Sequence, residues 1–199
     1  MADDIVNLGR RRFLTATTAV VGGAGALCAA VPFIRSWTPS ARARLAGQPI
    51  IADISKLEPG QRLQFEWRGQ PIWVISRTPA ALEALPTLDD KLRDPKSENA
   101  DQQPGYARNE YRSIKPGILV LVGLCTHLGC APLFVPELES QPFDSEWKGG
   151  FFCPCHKSRF DLAGRVFSGV PAPTNLVVPP YRFIDDDTLE IGVDTQGAA

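Results

Sequence analysis

The sequence is poor in histidine and nearly balanced in charge. Only two histidines occur among its 199 residues, and its formal net charge at pH 7 is -1. Nucleic-acid-binding surfaces are normally basic, so this charge gives no support to nucleic-acid binding. Charge is also missing locally, because residues 13–34 contain no Asp, Glu, Lys or Arg. The neighbours of the two histidines and the uncharged segment 13–34 are therefore the most informative parts of the sequence.

Each histidine lies within three residues of a cysteine. The two motifs are Cys125-Thr126-His127-Leu128-Gly129-Cys130 and Cys153-Pro154-Cys155-His156. Two thiolates with two imidazoles suit a tetrahedral zinc site, or a two-iron cluster in which histidines replace the cysteines on one iron. A set of ordinary disulfides with an odd thiol is a further alternative, but it leaves the placement of both histidines unexplained. Cys28, in the apolar segment, is expected to serve packing.

The paired motifs resemble the Rieske [2Fe-2S] signature of quinol-oxidising cytochrome bc complexes. The resemblance continues through Asp161, Gly164-Arg165 and the proline-rich segment 170–181. It implies one [2Fe-2S] cluster and the following roles: Cys125 and Cys153 hold the buried iron, His127 and His156 hold the outer, redox-active iron, Cys130 and Cys155 form a disulfide, and the Ser158 hydroxyl donates to a bridging sulfide.

The family resemblance also implies a function as a subunit of quinol–cytochrome c reductase. The cluster would take an electron, with a proton, from quinol at the cytochrome b subunit and pass it to a c-type cytochrome subunit. His156 is the ligand expected to hydrogen-bond quinol, within a dimeric, proton-translocating membrane complex. Replacing two thiolates by neutral imidazoles raises the reduction potential into a span of about -150 to +300 mV, which suits quinol as the donor.

Three other functions are alternatives for a chain with these motifs. An exported electron-relay subunit, such as that of arsenite oxidase, can share the export signal and the disulfide, and co-purification with cytochrome b distinguishes the two. A soluble oxygenase ferredoxin does not account for Cys130, Cys155 or the N-terminal apolar segment. A zinc-binding module without redox activity would be colourless.

Two positions depart from many members of the family. Phe160 stands where many have a tyrosine whose hydroxyl donates to a cluster cysteine, which implies a lower reduction potential. Lys157 replaces a common glycine. The sequence gives no interpretation of the lysine.

The N-terminus combines an export signal with a membrane span. Residues 10–14 read Arg-Arg-Arg-Phe-Leu, which resembles a twin-arginine signal for the export of folded proteins. The apolar run that follows is about 33 Å long as a helix, enough for a hydrocarbon core of ~30 Å. A cleavage site at residues 24–26 is the alternative, but the run continues to Arg35 and Trp37, which favours a retained anchor.

The domains are therefore predicted as follows: residues 1–12 are cytoplasmic, 13–35 form one transmembrane helix, 36–47 form a hinge or tether, and 48–199 form the Rieske domain. The protein is expected in the bacterial inner membrane, with a single span and a periplasmic cluster domain. This order agrees with the chemistry, because a disulfide persists outside the reducing cytosol.

The predicted fold class is mainly β, with stacked antiparallel sheets and an inserted cluster-binding subdomain at about 123–171. Alternating apolar residues indicate strands near 63–67 and 189–193, while 72–75 and 118–124 are apolar runs. Thr78-Pro79 predicts the start of a short helix that continues through Leu85. Residues 89–112 are polar without a clear period and are predicted as a surface insertion.

Overall fold

A computed structural model describes residues 7–45 and 47–193 of the chain. The described residues fall into two compact units that divide between Leu45 and Gly47. Each unit is described by itself below.

The first unit consists of two helices, α1 (Leu8–Ser36) and α2 (Ala41–Leu45). Asn7 caps α1, because its side-chain oxygen accepts a hydrogen bond from the Arg10 backbone nitrogen at 3.1 Å. The predicted span lies inside this helix, which is about 43 Å long at 1.5 Å per residue. Every residue of α1 is at least partly exposed. Its length and composition are those of a membrane-crossing helix. α2 lies in the middle of the predicted tether.

The second unit contains nine strands in three antiparallel sheets. The strands are β1 (Ile50–Asp53), β2 (Arg62–Trp67), β3 (Gln70–Ser76), β4 (Ile118–Val122), β5 (Leu133–Val135), β6 (Gly150–Phe152), β7 (Arg159–Phe160), β8 (Tyr181–Phe183) and β9 (Thr188–Ile191). One sheet has the order β1-β9-β8, the next β2-β3-β4 and the last β5-β6-β7. The predicted fold class, with mainly antiparallel β-structure and one N-terminal apolar helix, is confirmed.

Strands β2 and β3 form a tight hairpin. Trp67 pairs with Gln70, so only Arg68 and Gly69 form the loop. Both have positive φ, 53° and 71°, which is the geometry of a type I′ turn. The turn places buried β3 between β2 and β4.

Strand β4 leads directly into the first cysteine–histidine motif. Leu119, Val120 and Leu121 are fully buried, and the strand ends at Val122. At Gly123 a Cβ atom would lie 2.3 Å from a carbon of the Trp73 indole. Glycine is therefore required for the chain to pass the indole and enter the motif.

The third sheet lies within the subdomain predicted at 123–171. Phe151 of β6 pairs with Phe160 of β7, and both side chains are fully buried. The Phe151 ring stacks on Trp73 of the β2-β3-β4 sheet, with ring centroids 5.6 Å apart. This stacking packs the subdomain against the base of the domain through one apolar core.

A short helix, α3 (Pro79–Ala84), follows β3 as predicted. The Thr78 hydroxyl accepts a hydrogen bond from the Ala81 backbone nitrogen at 3.2 Å and caps the helix. A 3-10 segment, Leu85–Lys91, continues it, and two shorter ones cover Ala100–Gln102 and Gly105–Ala107.

Residues 89–112, predicted as a surface insertion, are mostly exposed or half-buried but are anchored by a few buried side chains. Leu92, Ser97, Ala107 and Arg112 are buried. The segment packs on the turn at 161–165 through hydrogen bonds to backbone carbonyls, so its buried residues are largely polar. An apolar period is therefore missing although buried side chains anchor the segment.

Candidate metal centre

The two cysteine–histidine motifs form loops with the same backbone hydrogen bonds. In the first loop, residues 125–130, the Cys125 nitrogen donates to the Cys130 oxygen at 2.8 Å and the Gly129 nitrogen to the Cys125 oxygen at 2.9 Å. In the second loop, residues 153–158, the Cys153 nitrogen donates to the Ser158 oxygen and the Lys157 nitrogen to the Cys153 oxygen, again at 2.8 and 2.9 Å. The two loops therefore share one backbone frame, defined by the same pair of backbone hydrogen bonds.

The first cysteine of each loop lies in the interior. Cys125 is 3% exposed and Cys153 is 2% exposed. Burial raises the pKa of the Cys125 thiol, and the neighbouring Cys153 thiol raises it further, while the His127 backbone amide and the Ser158 hydroxyl oppose the shift. Metal binding must therefore displace protons from these thiols.

The two histidines lie on the outer side of the cysteines. Their ring centroids are 4.7 Å apart and the ring planes are nearly perpendicular, at 88°. His127 is half-buried and His156 is exposed. The Nδ1 atom of His127 is buried, and it has no hydrogen-bond partner among residues 7–45 and 47–193. A buried nitrogen without a partner is costly unless a ligand satisfies it.

A disulfide joins the loops through Cys130 and Cys155, as the family resemblance implies. The sulfurs of Cys130, Cys153 and Cys155 all lie within 4.8 Å of one another. The two disulfide sulfurs have no thiolate to offer a metal, so this trio is not a ligand set. The disulfide instead lies beside the Cys153 sulfur.

Ser158 links the second loop to two neighbours. Its oxygen accepts a hydrogen bond from the Ala172 backbone nitrogen at 3.0 Å, and its hydroxyl lies near enough to the Cys125 thiol to oppose the rise in the pKa of that thiol. The first loop is held differently, since the Thr126 hydroxyl donates to the Thr174 carbonyl at 2.7 Å. Both anchors lie in the proline-rich segment that follows the second loop.

A buried turn at residues 161–165 supports the second loop. The Asp161 carboxylate accepts from the backbone nitrogens of Ala163 and Arg165 and from Arg165 Nε, at 2.7–2.9 Å. Burial opposes the charge on Arg165, but the carboxylates of Asp161 and Asp89 outweigh it and raise its pKa. Arg165 also donates to the Leu85 carbonyl, which ties the turn to the helical segment after β3.

Sequence reasoning missed two further buried arginines at this turn. Arg77 donates to the Leu162 carbonyl at 3.2 Å, and Arg112 donates to the carbonyls of Ala163 and Gly164 at 3.2 and 3.3 Å. Burial lowers the pKa of each to about 10, so both remain charged at neutral pH. The one available signal is that Arg77 directly follows a buried apolar strand.

The donor set fits a Rieske cluster. Two buried thiols lie together on the inner side, two imidazoles lie on the outer side, and one imidazole nitrogen is buried without a protein partner. Two sulfur and two nitrogen ligands are the set that a [2Fe-2S] centre of this type needs.

Comparisons with known proteins agree with this geometry. Residues 48–182 match the family model for the Rieske [2Fe-2S] domain, and residues 1–40 match the model for the ubiquitinol-cytochrome C reductase Fe-S subunit TAT signal. The ubiquinol-cytochrome c reductase iron-sulfur subunit of Allochromatium vinosum is 58% identical over 193 residues, covering 97% of this chain and 93% of that protein. The corresponding subunit of Blastochloris viridis is 41% identical, covering 96% and 97%.

A chain from the solved structure of a hyperthermophilic respiratory Complex III is also similar. It is 26% identical and has a TM-score of 0.44, covering 88% of this chain and 98% of that chain.

The site and its surroundings are those of a Rieske protein, and the cofactor of the domain is a [2Fe-2S] cluster. The chain belongs to the family of ubiquinol–cytochrome c reductase iron–sulfur subunits. Its N-terminal helix and export signal fit a membrane-anchored member of that family.

Proposed function

We propose that this chain is the electron-transferring subunit of a bacterial quinol–cytochrome c reductase. It accepts one electron and one proton from quinol at the cytochrome b subunit and passes the electron to a c-type cytochrome subunit. The observation that supports this most directly is the pair of outward-placed imidazoles above two buried cysteines. The relatives' names favour this assignment over an arsenite oxidase relay.

The proposed ligands differ in burial, and their proposed roles differ accordingly. Cys125 and Cys153, which are buried, would hold the inner iron, and His127 and His156 would hold the outer iron. When bound, the cluster supplies a one-electron acceptor whose potential is raised by its two neutral imidazole ligands. The unpartnered Nδ1 of His127 is the nitrogen that we assign to iron.

His156 is the residue proposed to meet quinol. It is exposed, and an imidazole that ligates through one nitrogen keeps the other for hydrogen bonding. That nitrogen would accept the proton of a quinol hydroxyl, and the bound cluster would supply the acceptor for the electron. Leu128, which directly follows His127, is 70% exposed, and Pro171 is exposed beside His156. These apolar side chains near the two histidines suit a membrane-soluble substrate.

The test is a redox-poised EPR spectrum of membranes that contain the complex, together with co-purification of cytochrome b. We expect a Rieske-type signal whose shape responds to occupancy of the quinol site. Metal analysis should find two irons and two acid-labile sulfides per chain. Stoichiometric zinc without labile sulfide contradicts the proposal, and so does a cluster signal that ignores the quinol site.

We further propose that α1 stays in the inner membrane, with the N-terminus cytoplasmic and the cluster domain periplasmic, in a dimeric complex. The paired Arg10 and Arg11 at the start of α1 support export of the folded domain. Protease added to spheroplasts should digest the cluster domain of the wild type. It should leave a variant with Arg10→Lys and Arg11→Lys protected, because that variant stays in the cytoplasm. Protection of the wild type contradicts this orientation.

The segment 36–47 is proposed to act as a hinge between the membrane and the cluster domain. Proline substitutions within residues 40–47 restrict the backbone and disrupt α2. They should slow quinol–cytochrome c turnover and leave the cluster potential unchanged, because the ligands lie far along the chain. Unchanged turnover means that the segment is an inert linker.

A further inference from the structure

Lys157 occupies the backbone position in the second loop that Gly129 occupies in the first. Each donates its backbone N–H to the carbonyl of the cysteine four residues earlier. Each also has a left-handed backbone, with φ of 64° at Lys157 and 78° at Gly129. Glycine adopts this conformation freely, whereas a residue with a Cβ atom is strained there. The fold therefore tolerates a lysine where a glycine is the unstrained choice.

The strained lysine borders a groove beside His156. The groove has a volume of about 630 Å³, and its walls include Phe143, Phe152, His156, Lys157, Arg159 and Pro171. The rings of Phe143 and Phe152 stack with centroids 4.1 Å apart and form an apolar part of the wall. Backbone strain next to a proposed functional residue makes the Lys157 side chain a candidate for a functional role.

The groove carries one uncompensated positive charge. Arg159 is ion-paired with Asp144. Lys157 is exposed, and its ammonium group has no ion pair or hydrogen bond within the part of the chain that the structure describes. The groove therefore complements a partner that brings a carboxylate next to an apolar side chain.

We propose that Lys157 is a specificity-determining contact that binds an acidic side chain of the c-type cytochrome subunit. This inference rests on the proposed function. Transient electron-transfer encounters are small, wet and steered by charge, so an exposed ammonium group accelerates them. Quinol is uncharged and offers the ammonium group no ionic partner, whereas an acidic side chain does. The lysine thus serves the second of the two electron-transfer steps.

The test measures the two steps separately in the assembled complex that carries Lys157→Gln. At low ionic strength, oxidation of the pre-reduced cluster by the c-type cytochrome should slow by roughly two- to five-fold, the range expected for one exposed ion pair. The loss should shrink at high salt, because salt screens exposed charges. Reduction of the cluster by quinol should change by no more than the measured shift in reduction potential accounts for.

Three variants separate charge from conformation. Lys157→Arg keeps the charge and should restore the oxidation rate. Lys157→Gly removes both charge and strain, and should slow oxidation as much as the Gln variant while resisting denaturation at least as well as the wild type. Lys96→Gln makes the same charge change at another exposed lysine and should have no effect.

The reduction potential of each variant is measured as well. It shows whether a slower oxidation of the cluster comes from a smaller driving force. Removing a positive charge lowers the potential, which favours oxidation of the cluster and cannot explain a slower rate. The proposal is overturned if the Gln variant is oxidised at the wild-type rate at low salt, or if its loss persists at high salt. It is also overturned if the quinol step slows by more than the potential shift accounts for while oxidation by the cytochrome is unaffected. A wild-type complex that takes no electrons from quinol contradicts the proposed function itself.

Discussion

The first and second loops share a pattern of backbone hydrogen bonds, but their histidines stand one position apart within it. His127 is the second residue after Cys125, whereas His156 is the third residue after Cys153. In the shared frame His127 therefore corresponds to Cys155, and His156 corresponds to Leu128. His127 is half-buried and His156 is exposed. The two loops therefore present histidines that differ both in frame position and in exposure.

The loops also differ in how they contact the rest of the domain. The first is fixed by Thr126, whose hydroxyl donates to a backbone carbonyl. The second is fixed by Ser158, whose hydroxyl oxygen accepts from the Ala172 backbone nitrogen and whose hydroxyl lies near the Cys125 thiol. The second loop thus reaches a proposed ligand of the first, which gives it the larger influence on cluster chemistry.

The largest expected effect tests whether the unequal histidines are equally necessary. His127→Leu and His156→Leu should each abolish the cluster, because either change leaves one iron ligand missing. Iron and acid-labile sulfide analysis of the purified variants measures this. Leu128→Ala, an exposed change in the first loop, is the matched control and should retain two irons. Full iron content in either histidine variant shows that the residue is not a ligand.

The second prediction concerns the disulfide that joins the two loops. Cys130 and Cys155 are separated by 25 positions, and a crosslink of that span contributes about 3.5 kcal/mol in the chain-entropy model. Replacing both with Ser should lower the free energy of unfolding by up to that amount and lower the potential, with ligation retained. Chemical denaturation and redox titration measure the two effects. Free-thiol mapping that finds both cysteines reduced in exported wild-type protein argues against the bond.

The third prediction separates the two anchoring hydroxyls. Ser158→Ala removes a hydroxyl near the Cys125 sulfur, and reduction makes that sulfur a better acceptor. If about 1.5 kcal/mol of a bond between them differs between redox states, the one-electron potential should fall by roughly 65 mV. Thr126→Val is the control, because it removes a hydroxyl that contacts only a carbonyl. It should cost about 1 kcal/mol of stability and leave the potential in place. Equal shifts in both variants remove the proposed difference between the loops.

The smallest effect is expected at Phe160. Its ring is fully buried in the same apolar core as Cys125 and Cys153. Phe160→Tyr should raise the potential by roughly 40 mV if its hydroxyl donates to Cys125 with about 1 kcal/mol of preference for the reduced state. Redox titration decides the matter. A potential that is unchanged or lower shows that the ring faces away from that sulfur.

Much of this architecture could be predicted because its signals are local. The cysteine–histidine motifs, the alternation at Leu63 and Phe65, and the Thr78 cap each depend on neighbours in sequence. The roles of Arg77 and Arg112 could not be predicted, because their partners are carbonyl oxygens many residues away. A carbonyl acceptor leaves no trace in the identity of its residue. For that reason the sequence of segment 89–112 gives no sign of its buried anchors.

The long-range contacts of the buried arginines have a consequence for the timing of maturation. Arg77 contacts Leu162 across 85 positions, and Arg165 contacts Leu85 across 80. Contacts between such distant residues form slowly, because a long loop must close first. All four proposed ligands precede Arg165, so a nascent chain carries them before the turn beneath them can form. Cluster insertion is therefore expected only once these long loops have closed and the turn beneath the ligands has formed.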